Sequence, residues 1–231
     1  MADQNAFVAA FQLIVGLDPT LGEIVLLSLR VTLTAVFVSA LIGLPLGAAI
    51  ALARFPGRDV VIVVFNAMMG LPPVVAGLVV YLLLSHSGPL GFLDLLFTVP
   101  AMIVAQTVLI TPIIVSLTRQ VVEDLWAEYA EQLRSLGSST LRAIPTLLWD
   151  SRFSLITAIL AGFGRASAEV GAVLIVGGNI AHFTRTMTTA IALETSKGEF
   201  AQGIALGLVL LVLALMLNIF LGQLQGKGEM R

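Results

Sequence analysis

The chain has 231 residues, of which 58% are apolar and 11% charged, and its mean hydropathy is +1.03. A soluble domain of this size cannot bury so much apolar surface, so the composition indicates an integral membrane protein. Twelve basic and 14 acidic residues give a formal net charge of −2, which argues against nucleic-acid binding. Cysteine is absent, which excludes disulfides and thiolate metal sites.

The first 23 residues carry acidic side chains but neither Lys nor Arg, so they lack the basic start of a secretory signal. We therefore expect no cleavable signal peptide. The apolar patch 7–17 is too short to cross a bilayer, and we expect an interfacial helix or a packed N-terminal segment.

Four long stretches contain no Asp, Glu, Lys or Arg: 31–53, 60–93, 95–118 and 200–226. Each is long enough for the roughly 20 residues of helix that cross a bilayer. A fifth apolar stretch, 153–176, includes two charged residues. The sequence therefore predicts an all-α integral membrane protein with a single transmembrane domain over 1–231 and five spans, at about 24–53, 60–84, 99–117, 153–176 and 200–221.

Lys and Arg are distributed unequally between the two sides that these spans define. Two basic residues, Arg185 and Lys197, fall on one side, and eight fall on the other: Arg54, Arg58, Arg119, Arg134, Arg142, Arg152, Lys227 and Arg231. The positive-inside rule places the larger group in the cytoplasm, so we expect the N-terminus outside and the C-terminus inside.

The loop at about 123–152 is rich in charge and is predicted to be cytoplasmic. Its apolar residues recur at near-helical spacing, and Gly137 interrupts them, which predicts two short helices meeting at a turn. Such a segment either lies on the bilayer surface or fits a groove on a soluble partner.

Two features within the spans could serve transport. Arg165 and Glu169 are predicted to lie one turn apart on one face of the fourth span, where ionisable groups often face a polar path. Pro72 and Pro73 would break the second span and create a half-helix N-terminus that favours an anion. Each feature also has a purely structural alternative: the ion pair could only stabilise helix packing, and the proline kink could only shape it.

The charged loop resembles the coupling loop of ABC-transporter permeases, whose pattern is Glu-Ala-Ala, three residues, Gly, nine residues, Ile-x-Leu-Pro. Glu131 and Gly137 match, and Leu147 takes the Ile position. Four residues depart from the pattern: Gln132, Leu133, Trp149 and Asp150. The run from Arg165 to Ala172 resembles the molybdate, tungstate and sulfate permease group, and with 176–180, 184–191 and 194–198 it is most similar to the tungstate branch.

This resemblance implies a type I ABC importer permease architecture with a cytoplasmic coupling-helix loop in the inner (plasma) membrane. It implies a homodimer that imports a tetrahedral oxyanion by alternating access, with tungstate preferred over molybdate or sulfate. Two ATP-binding cassette subunits and an extracytoplasmic oxyanion-binding protein would be the partners. The chain has no phosphate-binding loop, so ATP and Mg would be held by the partner subunit and this chain would bind no cofactor.

The expected site residues fall into three groups, with neither catalytic nor metal-binding residues. Contact with the ATPase subunit is expected from Ala130, Glu131, Leu133, Arg134, Leu136, Gly137 and Leu141. The translocation path or gate is expected at Pro72, Pro73, Arg165 and Glu169. The outer loop facing the binding protein is expected at Asn179, Thr184, Arg185 and Thr188.

Two other classes of function compete with this interpretation. A self-sufficient secondary transporter or channel could use Arg165 and Glu169 as an ion relay, and a membrane scaffold or intramembrane enzyme could use them structurally or catalytically. The single unrepeated set of five spans and the partner-like loop argue against the first. Neither a nucleophile elbow nor a metalloprotease helix supports the second.

Overall fold

The computed structural model describes residues 2–16, 18–135, 137–140 and 142–229. They form ten α-helices and one 3₁₀ turn, Gly91–Leu93, and this part of the chain contains no strand, which confirms the predicted all-α class. The α-helices are α1 (Ala2–Val15), α2 (Pro19–Leu52), α3 (Arg58–Met69), α4 (Pro73–Leu84), α5 (Val99–Ser135), α6 (Ile144–Asp150), α7 (Arg152–Ser167), α8 (Gly171–Gly177), α9 (Met187–Lys197) and α10 (Phe200–Glu229).

Three helices are long and apolar enough to cross a membrane: α2, α5 and the Phe200–Ile219 part of α10. The count over the described residues reaches five if α3 with α4, and α6 with α7, each form one broken span. The predicted break at the two prolines is confirmed, because α3 ends at Met69 and α4 begins at Pro73. Large apolar side chains on α2, α4 and α10 are exposed, as expected for helices that face lipid.

Three sequence-based boundaries differ from the structure. Helix α5 continues to Ser135, well past the predicted end of the third span at residue 117. The continuous fourth helix over 153–176 was wrong, because α7 ends at Ser167 and α8 is separate. The segment between the predicted spans 153–176 and 200–221 contains a further helix, α9, whose start is stabilised by a hydrogen bond from the Thr186 N–H to the Thr189 hydroxyl (3.0 Å).

The chain divides into two compact units. The first runs to Ala35 and includes Pro72–Gln106 and Ala166–Asn218. Its apolar core joins α1, α2, α9 and α10 through Ala10, Leu21, Ile24, Met187, Ala190, Ala205 and Leu206. The N-terminal helix therefore packs against this core with one face, which favours the packed interpretation of the apolar patch.

The second unit comprises Val36–Leu71, Thr107–Arg165 and the chain from Ile219 on. Its helices α2 and α5 approach closely, since a Cβ added at Gly47 would lie 2.6 Å from the Val115 carbonyl oxygen. A second apolar cluster joins these helices to the segment around α6 through Ala48, Leu52, Val122, Ala143 and Leu147. The predicted coupling loop is thus anchored to the ends of long helices.

Candidate functional sites

Glu169 lies in the break between α7 and α8 and is only 3% exposed. Its Oε1 accepts a hydrogen bond from the Ala172 N–H at 2.9 Å, and its backbone oxygen accepts one from the Thr188 hydroxyl at 2.7 Å. A carboxylate that accepts from the first turn of a helix satisfies one of its free N–H groups and interacts favourably with the helix dipole. Glu169 therefore fixes the start of α8.

Helix α4 packs directly on α8. A Cβ added at Gly77 would lie 2.6 Å from the Cα of Ala172, and one added at Gly171 would lie 2.8 Å from Cγ2 of Val74. Helix backbones come this close only where side chains are minimal, as in small-residue contacts between membrane helices. The helix that begins at Pro73 and the loop that holds Glu169 are therefore parts of one packed element.

The structure differs from the sequence prediction in one respect, because Arg165 and Glu169 do not lie on one continuous helix. Arg165 lies in the last turn of α7, but that helix ends at Ser167, so Glu169 is already beyond it. A spacing of four residues places two side chains on one face only while the helix continues.

The loop 178–186 before α9 is held by several hydrogen bonds within the loop. The Ile180 carbonyl oxygen accepts from the N–H groups of Phe183, Thr184 and Arg185 at 3.0–3.2 Å. Asn179 and His182 adopt left-handed backbone conformations, with φ of 50° and 59°. Non-glycine residues in this region are uncommon and persist where surrounding contacts fix them, often at functional positions.

Thr184 is 0% exposed, which corrects its assignment to a surface that faces a partner. Its hydroxyl donates to the Gly177 oxygen at 2.5 Å and accepts from the Ile180 N–H at 2.9 Å. Thr188 is likewise engaged with Glu169, and the Asn179 side chain donates to the Thr189 oxygen at 3.4 Å. Of the four outer-loop residues, Arg185 therefore has the most free bonding capacity.

A cavity of about 300 Å³ lies beside this loop. It is lined from α2 by Thr20, Glu23, Ile24, Leu26, Leu27 and Arg30, and from the loop by Ala181, His182, Phe183 and Arg185. Nδ1 of His182 lies 2.7 Å from Oε2 of Glu23. Sequence reasoning did not assign Arg30 to a site, because only the fold brings α2 against residues 181–185.

The turn after α5 contains the predicted helix break at Gly137, but two short helices do not meet there. The Gly137 N–H donates to the Arg134 oxygen at 2.9 Å and the Ser138 N–H to the Leu133 oxygen at 3.0 Å, with Gly137 at φ 78°. These are the two hydrogen bonds of a Schellman motif, which requires a left-handed residue at this point. In place of the first short helix the structure has the end of the 37-residue α5, and the next helix, α6, begins only at Ile144.

The ATPase-contact residues that the structure describes lie on this turn and the helix before it. Glu131, Arg134 and Gly137 are exposed, while Ala130 and Leu133 are half-buried. The Arg134 guanidinium lies 5.4 Å from the Trp126 ring centre. Leu136 and Leu141 lie outside the described residues. Trp149, on α6, is 71% exposed beside Arg152, so this part of the second unit presents both charge and an aromatic ring.

A charged cluster that sequence reasoning missed holds the end of α2. Nε of Arg58 donates to the Ile50 oxygen at 2.8 Å, and its NH2 donates to the Ala51 oxygen at 3.2 Å and to Glu123. Arg119 also pairs with Glu123 from one turn earlier on α5. Arginine suits this role because its fork of donors can bond several acceptors at once.

Residues 43–227 match the family described as the inner membrane component of binding-protein-dependent transport systems. The match covers most of the chain, which therefore belongs to this family. Membership confirms the permease resemblance and implies a multi-pass inner-membrane transport subunit that works with an ABC ATPase and a substrate-binding protein. It gives no support to a self-sufficient transporter or an enzyme.

Three relatives align with between 70% and 96% of the chain. A probable anion ABC transporter permease protein of Haloferax volcanii is 44% identical over 203 residues, which are 86% of this chain and 88% of the relative. The tungstate uptake system permease protein TupB of Peptoclostridium acidaminophilum is 38% identical over 221 residues, or 96% and 97%. TupB of Campylobacter jejuni is 43% identical over 162 residues, or 70% and 68%.

Proposed function

We propose that this chain is the membrane-spanning permease subunit of an ATP-driven importer for a tetrahedral oxyanion, with tungstate as the substrate. The carrying observation is its similarity, over 96% of its length, to a tungstate uptake permease. Molybdate and sulfate are the alternatives, because oxyanions of similar shape and charge make similar demands on a path.

The working unit in this proposal is a homodimer with two ATP-binding cassette subunits and an extracytoplasmic binding protein. In the described part of the chain, three to five helices can span the membrane, too few to enclose a polar path with its gates. ATP and Mg belong to the ATPase subunits, and the chain carries no cofactor of its own. The N-terminus lies outside and the C-terminus in the cytoplasm, as the positive-inside rule favours.

The exposed turn at Gly137 is the proposed contact with the ATPase subunit. The apolar cluster around Leu147 anchors this segment to α2 and α5, so a displacement of the turn moves a packed unit rather than a loose loop. ATP-driven closure of the ATPase subunits would shift this unit and switch the path between inward and outward opening. Replacing Glu131 with Lys is expected to reduce ATPase co-purification without loss of folding.

Arg165 and the N-terminus of α4 at Pro72–Pro73 are the proposed sources of positive potential in the path. Helix α4 is 12 residues long and starts within the apolar sequence, so its first N–H groups and its dipole favour an anion. The contacts of Glu169 support a positioning role for this carboxylate at α8. Replacing Arg165 with Gln is expected to abolish uptake while the transporter still assembles.

The direct test is elemental analysis of cells. Cells with and without the chain are grown in equimolar trace tungstate and molybdate, and both metals are quantified in washed cells by mass spectrometry. Selective loss of tungsten supports the proposal, loss of both metals assigns the chain to broader oxyanion import, and loss of neither refutes these substrates. Sulfate uptake measured in the same cells tests the remaining alternative.

A further inference from the structure

The cavity between the first half of α2 and the loop 178–186 has no role in the proposal so far. We propose that it is a binding site for a tetrahedral oxyanion, held between Arg30 and Arg185. This inference rests on the proposed oxyanion import and adds a site on this chain that receives the anion. All its lining residues belong to the first compact unit.

The charges in the cavity favour an anion. Its lining contains two arginines, and its one carboxylate, Glu23, already lies 2.7 Å from His182. Two guanidinium groups match the double negative charge of tungstate, molybdate or sulfate, and the fork of donors suits the oxygen geometry of such ions. A volume of about 300 Å³ lies at the small end of known ligand sites, roughly 300–1,000 Å³.

Within the described part of the chain, the Arg185 guanidinium has donors whose hydrogen-bonding capacity is not fully used. Its Nε is buried without a hydrogen-bond partner, and its NH2 reaches the Asn179 oxygen only at 3.5 Å. Buried donors are normally satisfied, and leaving one without an acceptor is unfavourable. An anion in the adjoining cavity would supply the missing acceptor. The hydrogen bonds on the Ile180 oxygen hold Arg185 in place before the anion arrives.

Arg30 is exposed and lies beside apolar side chains of α2. It lies on the exposed face of α2 between Leu26, 70% exposed, and Leu33, 49% exposed, and its side chain makes neither an ion pair nor a hydrogen bond within the described residues. A charged side chain next to apolar surface is costly unless a counter-ion accompanies it. The cavity is therefore lined by two cations, one with a buried donor that has no hydrogen-bond partner and one exposed beside apolar surface.

The test uses the purified permease with its ATPase subunits and without the binding protein. Equilibrium dialysis against sodium tungstate, with bound tungsten measured by mass spectrometry, compares the wild type with Arg30→Gln, Arg185→Gln and the double variant. The loss of charge-assisted hydrogen bonds is expected to weaken binding about tenfold for each single variant and further for the double variant. Lys197→Gln removes an equal charge outside the cavity and is the matched control, expected to bind as the wild type does.

The same oxygens could come from a phospholipid headgroup, so phosphorus that co-purifies with each variant is measured in parallel. Loss of tungstate binding in the double variant assigns the site to a free oxyanion. Loss of bound phosphorus with no effect on tungstate assigns it to lipid phosphate. If neither tungstate nor phosphorus differs between the wild type and the double variant, the inference is overturned.

Two further measurements separate the effects of the variants on folding and transport from their effects on anion binding. Arg30→Lys and Arg185→Lys preserve charge and are expected to bind better than the Gln variants, while thermal unfolding confirms that each variant is folded. Cell uptake of tungsten reports on the proposed function separately. If cells take up tungsten only when they contain the chain, but the double variant binds tungstate as the wild type does, only the site is refuted. If cells take up no tungsten, but the purified permease binds sulfate and this binding depends on both arginines, only tungstate as the substrate is refuted.

Discussion

The segments 119–150 and 168–198 both contain many polar residues, but different kinds of contact hold them. The first is fixed by ion pairs around Glu123 and by the apolar cluster at Leu147, and it leaves Glu131, Arg134 and Trp149 exposed. The second is fixed by threonine hydroxyls, backbone carbonyl groups and the buried Glu169. The first segment therefore keeps polar surface for a partner, while the second uses its polar groups to build a rigid internal frame.

This difference predicts that variants of the second segment and of its packing neighbour lose stability, whereas variants of the first lose partner binding before they lose stability. The largest effect is expected for Gly77→Leu, because even a Cβ at this position meets the backbone of Ala172. We expect a loss of roughly 3 kcal/mol in the free energy of unfolding in detergent, measured by thermal or chemical denaturation. Gly207→Ala, where a Cβ meets nothing within 4 Å among the described residues, is the control and should change stability by less than about 0.5 kcal/mol.

The next largest effect is expected at Glu169. Glu169→Leu leaves the Ala172 N–H without its acceptor and should cost roughly 2 kcal/mol, measured by the same unfolding assay. Glu169→Gln keeps an acceptor oxygen and should cost less. Equal losses in the two variants would show that the carboxylate does not act through this hydrogen bond.

A smaller effect on stability is expected at Gly137. A valine there must adopt φ near 78°, which costs about 1–2 kcal/mol, and the distorted turn should release the ATPase subunit in co-purification. Gly57→Val is the matched control, because Gly57 has φ 85° and also has open space around it. It should be destabilised equally but keep the ATPase subunit. Loss of the ATPase subunit in both variants would contradict a specific role of the Gly137 turn in binding it.

The smallest effect is expected for Arg58→Lys. The donors of a lysine ammonium all lie on one atom and do not reproduce the spacing of the guanidinium Nε and NH2 groups that reach Ile50, Ala51 and Glu123. These bonds are only partly buried, so the cost should be about 0.5–1 kcal/mol. The ratio of ATP hydrolysed to anion transported measures any effect on coupling. A loss as large as that of Glu169→Leu would contradict the contrast between the two segments.

Local signals predicted the features that depend on a few neighbouring residues. Gly137 ends a helix because its backbone requires a left-handed conformation, and the two prolines at 72 and 73 interrupt a helix by themselves. The sequence also predicted the helices that are long and apolar enough to cross a membrane, because a long apolar run is visible without knowledge of distant contacts.

The features that sequence reasoning missed depend on contacts between distant residues. The break before α8 has neither Gly nor Pro at 168–170 and is held by Thr188, 19 residues further on. Helix α9 begins with threonines, which are weak helix formers, and its start depends on their hydroxyl groups. The cavity could not be predicted, because Arg30 and Arg185 are 155 residues apart in the chain.

The length of α5 has a mechanical consequence. At 37 residues it is about 55 Å long, whereas the hydrocarbon core of a bilayer is about 30 Å thick. If the first part of α5 crosses the hydrocarbon core, roughly 25 Å of the same helix extends beyond the lipid and ends at the Gly137 turn. A tilt of about 10° about the membrane boundary would move that end by roughly 4 Å. The helix is then a lever with two arms of similar length, one in the membrane and one that ends at the Gly137 turn. A push at the Gly137 turn therefore displaces the far end of the membrane arm by a similar distance.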